Sequence, residues 1–555
     1  MPDRGAISQN AGRMASGRTP LFRKLMQTVQ QAHWINSHPD KEQLFYETRA
    51  ARSVSRRDFV RLLGAAGFAT AVGGIPGSNL AREKKTGARI SGGSVAILGA
   101  GVAGLTAAYR LQKACVPCEI FEASGRTGGR MFTKRNFNSD RMFCELGGEL
   151  VDSDHADLIQ LAAELGVEIQ ELKGNDKGVD LYYFGGKHYH DEELIPAFQS
   201  FAARLAADQG TLYDKDQQLI PERAEHFDRL SLAEYLAAAG KGVDQWVIDL
   251  LRVAYVIEYG RDSDEQSALN LITYLEPETK DGFKLYGSSD ESKRIKGGSG
   301  TLPDALTRAL DGKVKINRGF RLVKLGNGNG VIALTFSTDD GTRTLKFERA
   351  ICTLPFTMLR LVEGVDRLPI SPAKKRSIAH LGYGYNVKLM LGFTERWWRN
   401  LELHLPGPSN GSIFTDLPLQ ATWETSRGQE GSRGVLTNFM GGSTGKNFAP
   451  ARIDKVKEEL NRIFPGIKDK FDGNRAVMNW PVYQYVKGSY TCPLVGQFTT
   501  LLESAGTAEV DGQLLFAGEH TSPDFSGFMN GGIQSGNRAA QEIIAPFKAK
   551  LPKAA

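Results

Sequence analysis

Three closely spaced glycines form the first pattern in the sequence that suggests a chemistry. Gly99, Gly101 and Gly104 directly follow the apolar run 95–98 and open an alanine-rich segment predicted to be a helix. The next apolar run ends in an acid, Glu122. A strand, a glycine-rich turn and a helix N-terminus together bind a diphosphate, and an acid about 20 residues further on binds ribose hydroxyls. The pattern predicts a dinucleotide site made by Gly99, Ala100, Gly101, Val102, Ala103, Gly104, Glu122 and Ala123.

A second glycine cluster follows the acid. The segment 122–130 reads EASGRTGGR, so that Gly129 and Arg130 lie just beyond the expected ribose contact. We expect Arg130 to make a charge-assisted contact with the diphosphate. This segment resembles the extended FAD signature of the glutathione-reductase-like flavoproteins, and within them the flavin amine oxidases. The resemblance implies that Gly147, Gly148 and Glu149 run beside the flavin ring, where glycines permit a close approach of the backbone.

The C-terminal part of the chain extends this resemblance. The segments 515–520 (LFAGEH) and 526–532 (SGFMNGG) are similar to the second FAD motif of the flavin monoamine oxidase and L-amino acid oxidase superfamily. The similarity implies that Glu519, after Gly518, contacts the ribityl–phosphate region and that the backbone of Met529 begins a helix aimed at the flavin. It also places Val323 at the adenine side. The resemblance covers about residues 94–545, and FAD is the cofactor it implies.

Lys388 is the candidate residue for the reaction with oxygen. It is a single lysine in the apolar run 385–391, and an apolar strand accommodates a lysine only at a cost unless it is paired or functional. The resemblance implies that Lys388 holds a water against flavin N5. A lysine at a strand edge that reaches water is the alternative.

Three aromatic residues are expected to surround the substrate amine. The resemblance implies that Tyr490 and Phe528 form a narrow apolar slot and that Trp480 lines the flavin ring; core packing is the alternative for each. Monoamine oxidases carry FAD on a cysteine just before this tyrosine. Because Ser489 stands there, we expect non-covalent FAD.

Two acids near the flavin segment are candidate substrate contacts. Glu149 and Asp152 could receive a cationic group such as an amine or a guanidinium, and a solvated loop is the alternative. L-Amino acid oxidases of the venom type place a carboxylate-binding arginine where this chain has Leu150. Arg252 or Arg261 would then have to bind the carboxylate of an amino acid.

The resemblance implies oxidation of a C–N bond. We expect an L-amino acid oxidase that favours basic amino acids such as L-arginine or L-lysine and yields 2-oxo acid, ammonia and H2O2. A primary-amine or polyamine oxidase and a tryptophan 2-monooxygenase-like enzyme are the alternatives. The histidines show no ligand spacing, so no metal is predicted. Dimerisation is an expectation of the resemblance only.

The elements that must position these residues predict an α/β fold. We expect the two-domain fold of FAD-dependent amine oxidases, with a Rossmann-like FAD domain of the glutathione-reductase type and a substrate domain of mixed sheet and helices. The FAD domain is predicted to be discontinuous, over 90–160, 290–360 and 500–547. The substrate domain takes 161–289 and 361–499.

The composition agrees with a globular enzyme. Of the 555 residues, 41% are hydrophobic and 24% charged, which excludes a largely disordered chain. Residues 1–89 hold 15 Lys/Arg and 6 Asp/Glu, a balance of +9 in a chain of net charge +6, so the rest is at −3. A body without basic excess argues against nucleic-acid binding. Cys115 and Cys118 form a C-x-x-C without a second pair, which favours two thiols at a crossover over a metal or redox site.

The first 89 residues are predicted to be a leader. Residues 55–60 read SRRDFV and precede an apolar Gly/Ala-rich stretch, so that 55–75 resembles a twin-arginine export signal. We expect export to the periplasm or the medium, with a cytoplasmic location if the signal is not used. The stretch is too short for stable membrane insertion.

Overall fold

A computed structural model describes residues 94–550 apart from 173–175, 177, 215–218, 281, 288 and 329, with side chains to residue 545. By their contacts these residues belong to one unit. The predicted leader and its export signal lie outside the described residues. No helix in the described part of the chain is long and apolar enough to cross a membrane.

The strands in the described residues, in chain order, are β1 (Val95–Leu98), β2 (Cys118–Glu122), β3 (Thr133–Lys134), β4 (Cys144–Glu145), β5 (Leu150–Val151), β6 (Ile169–Glu171), β7 (Val179–Phe184), β8 (Lys187–Tyr189), β9 (Lys293–Ile295), β10 (Lys315–Arg318), β11 (Arg321–Gly328), β12 (Val331–Thr338), β13 (Gly341–Phe347), β14 (Arg349–Cys352), β15 (Val387–Phe393), β16 (Ser409–Thr415), β17 (Ala421–Glu424), β18 (Gly434–Met440), β19 (Phe471–Asn479) and β20 (Leu514–Phe516).

The α-helices are α1 (Val102–Lys113), α2 (Ala156–Glu164), α3 (Asp191–Gly210), α4 (Pro221–Asp228), α5 (Leu232–Ala239), α6 (Gln245–Tyr259), α7 (Leu269–Ile272), α8 (Thr301–Leu310), α9 (Phe356–Leu359), α10 (Pro372–His380), α11 (Gly442–Lys446), α12 (Arg452–Ile463), α13 (Phe498–Ala505) and α14 (Met529–Lys550). Short 3-10 helices are Val365–Arg367, Trp397–Arg399, Leu401–Leu403, Ile467–Lys470, Trp480–Val482 and Glu519–Thr521.

A five-stranded parallel sheet with the order β10-β2-β1-β14-β20 carries the glycine motifs. Its central strand β1 is buried on both faces, which explains its uninterrupted apolar sequence. Helices α1, α2, α8 and α14 cover one face, and the antiparallel sheet β11–β13 covers the other. All five strands come from the three segments predicted for the FAD domain; the domain boundaries themselves stay predictions.

A seven-stranded mixed sheet with the order β19-β15-β18-β17-β16-β7-β8 builds the second region. Only β16 and β7 pair in parallel. The helix α12 covers one face of this sheet. Helices α3–α7 form a layer over the β7 and β16 part of the other face. The two-stranded sheet β3–β4 and the three-stranded sheet β5-β9-β6 hold the chain that leads from one large sheet to the other.

Candidate active site

The turn between β1 and α1 has the geometry of a diphosphate cradle. Gly99 has a φ of +105°, in the region that favours glycine. A Cβ on Gly104 would overlap the carbonyl oxygen of Gly99, so only glycine lets the helix pack this close to the strand. Gly101 is the N-cap of α1, and it has no side chain to bind the first helical amides. These amides, with the helix dipole, suit an anion.

The second glycine cluster keeps the space in front of α1 narrow and free of side chains. Gly101 pairs with Gly128, and the amide of Gly128 donates to Ala100 O at 2.8 Å. A Cβ on Gly129 would lie only 3.0 Å from the Cα of Gly101. The two backbones therefore approach each other closely at these glycines.

Glu122 lies at the carboxyl end of β2, beside this turn. Its carboxylate accepts hydrogen bonds from the amides of Ala100 (2.7 Å) and Ser124 (2.8 Å), which fix its position. Val323 lies in a β-bulge of β11, and its carbonyl accepts from the amide of Glu363. The ribose contact of Glu122 and the adenine contact of Val323 stay predictions.

Arg130 joins the N-terminal and C-terminal motifs. Its Nη1 donates to Glu519 Oε1 and to Ser489 O, both at 2.8 Å. The other oxygen of Glu519 accepts from the amide of Gly527 at 2.6 Å. The expected contact of Arg130 with the diphosphate stays a prediction, because in this structure its Nη1 is directed to protein groups.

The segment 145–149 runs close to both motifs. A Cβ on Gly147 would overlap the carbonyl oxygen of Arg130, and one on Gly148 would lie 2.7 Å from Cγ of Met529. Met529 is the first residue of α14. The two glycines thus allow the backbone to pass between Arg130 and the start of this helix.

Lys388 is buried in the middle of the second region. Strand β15 is buried along its whole length, and Lys388 is 4% exposed. Its Nζ donates to Glu149 Oε2 at 2.8 Å and to Gly147 O at 3.1 Å, and it lies 5.1 Å from the ring centre of Trp423. The structure therefore brings Lys388 to the segment expected beside the flavin, and the alternative of a strand-edge lysine does not apply.

The two acids proposed as substrate contacts are both held by protein groups. Glu149 is 8% exposed and its second oxygen accepts from Thr425 Oγ1 at 2.9 Å. Asp152 is 2% exposed and accepts from Ser289 Oγ at 2.9 Å and from the amide of Glu291 at 2.8 Å. The solvated-loop alternative is wrong for both, because this segment is buried under β9 and the chain before it; their contact with substrate stays a prediction.

The three predicted aromatic residues have different surroundings. The indole of Trp480 is buried and donates to Leu146 O at 3.1 Å, next to Gly147. The hydroxyl of Tyr490 donates to Glu258 O at 2.6 Å, at the end of α6. Phe528 lies beside His155, with ring centres 5.3 Å apart. Their roles around the substrate stay predictions.

An aromatic face of the large sheet continues from Lys388. The strand register places Phe439 opposite Lys388, and Trp423, Phe414 and Tyr182 lie on the same face of the neighbouring strands. Phe414 contacts Tyr286 of the helical region at 6.3 Å between ring centres. The alternation of side chains along β17 and β18 could have revealed this face in the sequence, whereas the position of the helical layer has no local signal.

A carboxylate and several phenols occupy the opposing helical layer. Tyr274 donates to Glu258 Oε1 at 3.5 Å. Burial, reinforced by the charge of Glu258, raises the pKa of Tyr274 and of Tyr286 well above the usual range, so both phenols keep their protons. Sequence analysis missed Glu258, because it stands in an ordinary amphipathic helix.

Both arginines considered for a carboxylate are bound by other protein groups. Arg252 forms an ion pair with Asp249 on the surface of α6. Arg261 donates to Tyr383 O at 2.8 Å and to Glu265 at 2.7 Å. The expectation that one of them clamps a substrate carboxylate is not supported by these contacts.

Other titratable groups near the site are strongly affected by burial. Burial raises the pKa of Glu145 to about 7 and lowers that of His155 to about 4. Burial likewise raises the pKa of Cys118 to about 12, and Cys115 and Cys118 are both free thiols, located where α1 leads into β2.

Asp152, Asp154 and His155 place potential metal-ligand atoms within 4.8 Å of one another. However, Asp152 Oδ1 and Oδ2 and His155 Nδ1 accept hydrogen bonds from protein groups. The absence of a metal stays a prediction.

Comparison with known proteins agrees with this site. The family model described as "Flavin containing amine oxidoreductase" matches residues 102–544. Amine oxidase [flavin-containing] A of Sus scrofa is 24% identical over 469 residues, 81% of this chain and 84% of its own. An L-amino-acid oxidase of Gloydius halys is 23% identical over 476 residues, 81% of this chain and 88% of its own.

Solved structures share the fold. Cyclohexylamine oxidase from Brevibacterium oxydans superimposes with a TM-score of 0.69 at 20% identity and covers 82% of this chain and 100% of its own. Putrescine oxidase bound to putrescine gives a TM-score of 0.66 at 19% identity, over 82% of this chain and 99% of its own. The predicted two-domain amine oxidase fold is confirmed.

The glycine cradle, the uncapped start of α1 and the close backbones at Gly147 and Gly148 fit FAD. The predicted cofactor, FAD, and the predicted enzyme class, an oxidoreductase acting on CH–NH2 donors, are therefore confirmed by the family match. Residues 102–544, from the start of α1 into α14, match this family, and the chain belongs to the flavin containing amine oxidoreductase family.

Proposed function

We propose that this protein is an oxidase of small cationic amino compounds, and that L-amino acids with a basic side chain, such as L-arginine and L-lysine, are its first substrate class. The products are the 2-oxo acid, ammonia and H2O2. The observation that carries the proposal is the carboxylate of Glu258 at the end of α6, which accepts a hydrogen bond from the Tyr274 hydroxyl, while the backbone carbonyl of the same residue accepts from Tyr490. An acid among phenols suits an ammonium or a guanidinium group.

FAD supplies the two-electron oxidation of the C–N bond when it is bound. The protein's own residues orient the amine and exclude water. Trp480, Tyr490 and Phe528 supply apolar surface, and the aromatic face with Trp423 and Phe439 continues it from Lys388. Positioning of this kind supports much of the rate enhancement in reactions whose chemistry belongs to a cofactor.

We propose that the FAD is not covalently attached. The residue before Tyr490 is Ser489, whose hydroxyl donates to Asn386 Oδ1 at 2.5 Å. A serine in this hydrogen bond does not offer the thiolate that forms a thioether. Denaturation in acid should release all of the flavin into the supernatant, whereas flavin that stays with the precipitate would contradict this proposal.

A primary-amine or polyamine oxidase is the second candidate. It is favoured by the ion pairs of Arg252 with Asp249 and of Arg261 with Glu265, which engage both guanidinium groups, and by Leu150 at the position of the venom-type arginine. A substrate without a carboxylate needs no such clamp.

Two matched pairs of compounds separate the candidates. L-Arginine and agmatine, like L-lysine and cadaverine, differ only in the carboxylate. Each is mixed anaerobically with the enzyme, and loss of the visible absorbance of the flavin is followed, with H2O2 and ammonia assayed in air. Reduction by the amino acids alone supports the first candidate, and reduction by the amines alone supports the second. Reduction by neither member of either pair overturns both, and an amide product instead of ammonia would indicate the monooxygenase-like alternative.

A variant of Glu258 tests the cation-binding role. Glu258→Gln should raise KM for the cationic substrate about tenfold or more, because a charge-assisted contact is lost. L-Norleucine lacks the cationic side chain, so its KM should change little. An equal change for both compounds would contradict the role of Glu258 as the cation contact.

A further inference from the structure

A buried chain of polar contacts leads from Lys388 into the protein. Lys388 Nζ donates to Glu149 Oε2, and Glu149 Oε1 accepts from Thr425 Oγ1. The hydroxyls of Thr425 and Thr437 are 2.5 Å apart. Because the Thr425 hydroxyl already donates its hydrogen bond to Glu149, Thr437 must be the donor in the contact between the two threonines. All four side chains are buried.

Two further hydrogen bonds fix the position of Thr425 in this series of polar contacts. The carbonyl of Thr425 accepts from Arg294 Nη1 at 3.0 Å and from Gln429 Nε2 at 2.9 Å. This fixes the strand end that carries the Thr425 hydroxyl. The orientation of Glu149 is therefore determined by Lys388 on β15 and by Thr425 just after β17, which Arg294 on β9 holds in turn. The carboxylate has little freedom to leave Lys388.

The charges that face this pair are few and lie on neighbouring strands. Cys144 and Glu145 on β4 and Arg294 on β9 interact electrostatically with Glu149, and Cys144 also with Lys388. Glu149 is the carboxylate within ion-pair distance of Lys388 in the described residues. Removal of one partner from a buried ion pair leaves an uncompensated charge, which is strongly unfavourable.

We propose that Glu149 is a positioning residue that holds Lys388 Nζ at the carbonyl of Gly147 for the reaction with O2. This inference rests on the proposed role of Lys388. In that reaction O2 receives two electrons from the reduced cofactor and two protons, and becomes H2O2. The ammonium of Lys388 offsets the negative charge that develops on O2. Glu149 acts only through Lys388 and does not bind the substrate amine.

The test separates the oxygen reaction from substrate oxidation. The FAD-loaded enzyme is reduced by light, without substrate, and mixed with O2 while the flavin absorbance returns. Lys388→Met should slow this return, and Glu149→Gln should slow it by about tenfold or more, as expected when a preorganised charge is lost. Glu149→Asp keeps the carboxylate and should recover part of the rate. Glu145→Gln is the matched control, because it removes a buried carboxylate from the same segment that does not contact Lys388.

A further readout distinguishes positioning from a general structural effect. In the cofactor-free protein, reductive methylation followed by mass spectrometry should modify Lys388 faster in Glu149→Gln than in the parent. Thr425→Val is a milder second variant that only loosens Glu149, and it should show smaller changes of the same direction.

Each outcome decides the inference. If Lys388→Met is reoxidised slowly but Glu149→Gln is reoxidised at the parent's rate, the inference is overturned while the role of Lys388 stays intact. Parent-like rates in both variants would remove the role of Lys388 and the inference with it. Equal slowing by Glu149→Gln and Glu145→Gln would also overturn it, since the effect would not depend on the ion pair. None of these results depends on which amine the enzyme oxidises.

Discussion

A lysine in a fully buried strand can be tolerated only if its charge is compensated. At Lys388 the compensation comes from Glu149 and from the carbonyl of Gly147. The partner is itself satisfied by Thr425. Burying a lysine with these partners costs far less free energy than burying an isolated one. The need for a partner was readable from the apolar sequence around Lys388; the identity of the partner was not.

Gly101→Ala and Gly104→Ala should have different effects. A Cβ on Gly101 meets its nearest neighbour, the Cα of Gly129, at 3.9 Å, so the protein should fold normally. The methyl group would nevertheless occupy the space in front of α1, and FAD affinity should fall about tenfold or more, about 1.4 kcal/mol. A Cβ on Gly104 overlaps a backbone oxygen and should lower the free energy of unfolding by about 1–3 kcal/mol.

The two variants are compared by flavin titration of the cofactor-free protein and by urea unfolding. Gly210→Ala at the end of α3 is the control, because a Cβ there meets no atom within 4 Å and the position lies outside the predicted cofactor segments. If Gly101→Ala bound FAD like the parent, the cradle would not lie where the glycines place it.

Glu145→Gln should change how stability depends on pH. Burial raises the pKa of Glu145 to about 7, whereas an unfolded glutamate has a pKa of about 4.3. Between these values the folded state binds more protons than the unfolded state, so the parent loses stability as pH rises. From about pH 5 to about pH 8 the stability of the variant relative to the parent should rise, by at most about 3 kcal/mol.

Urea unfolding at a series of pH values measures this difference. The exposed Glu503 on α13 offers a matched control, since Glu503→Gln should give a curve parallel to that of the parent. A parallel curve for Glu145→Gln as well would show that the buried carboxyl does not control the pH dependence.

At the scale of elements, the contact between α1 and α14 aligns the two cofactor motifs. The helices carry the motifs at their N-termini and pack directly on each other in the core. Small residues make this close approach possible. Gly536 is central, because a Cβ there would overlap the carbonyl oxygen of Ala103 and lie 3.1 Å from Cβ of Thr106.

Gly536→Ala should therefore push the helices apart. The free energy of unfolding should fall by about 1–3 kcal/mol, as for other overpacked sites, and FAD affinity should fall as well because Met529 moves with α14. Gly210→Ala again serves as the control. Thermal and urea unfolding, together with flavin titration, measure both effects; an unchanged affinity with lowered stability would show that the start of α14 is set independently of its packing on α1.

The same elements show how much the sequence could predict. The β1–α1 turn and Glu122 follow from local rules, since a strand, three glycines and a helix start constrain one another within a few residues. The segments of the parallel sheet were predicted by resemblance. The burial of Asp152 could not be predicted, because its partners, Ser289 and Glu291, are remote in sequence. Burial imposed by a distant segment has no local signal.

At the scale of the whole molecule, the site depends on contacts between distant parts of the chain. Glu149 and Lys388 are 239 residues apart, and Arg130 and Glu519 are 389 apart. The resemblance to the flavin amine oxidases predicted that each of these residues belongs to the site, but not which of them pair. Pairing is decided when the two large sheets are brought together by the small sheets around β9.

The ion pair of Arg130 and Glu519 should couple the two ends of the described chain. The side chain of Glu519 is 8% exposed and lies 2.8 Å from Arg130. Glu519→Gln or Arg130→Met should each destabilise the cofactor-free protein by about 1–3 kcal/mol, since the remaining residue loses its counter-ion but keeps its other hydrogen bonds. The double variant should lose less than the sum of the single variants, by about 1–3 kcal/mol. Urea unfolding of the four proteins gives this coupling energy.

The exposed pair of Lys296 and Glu168, 2.9 Å apart, provides the control cycle and should give a coupling energy of about 0–1 kcal/mol. Additive losses for Arg130 and Glu519 would mean that the two motifs are aligned by helix packing alone, and that the ion pair serves the cofactor rather than the fold.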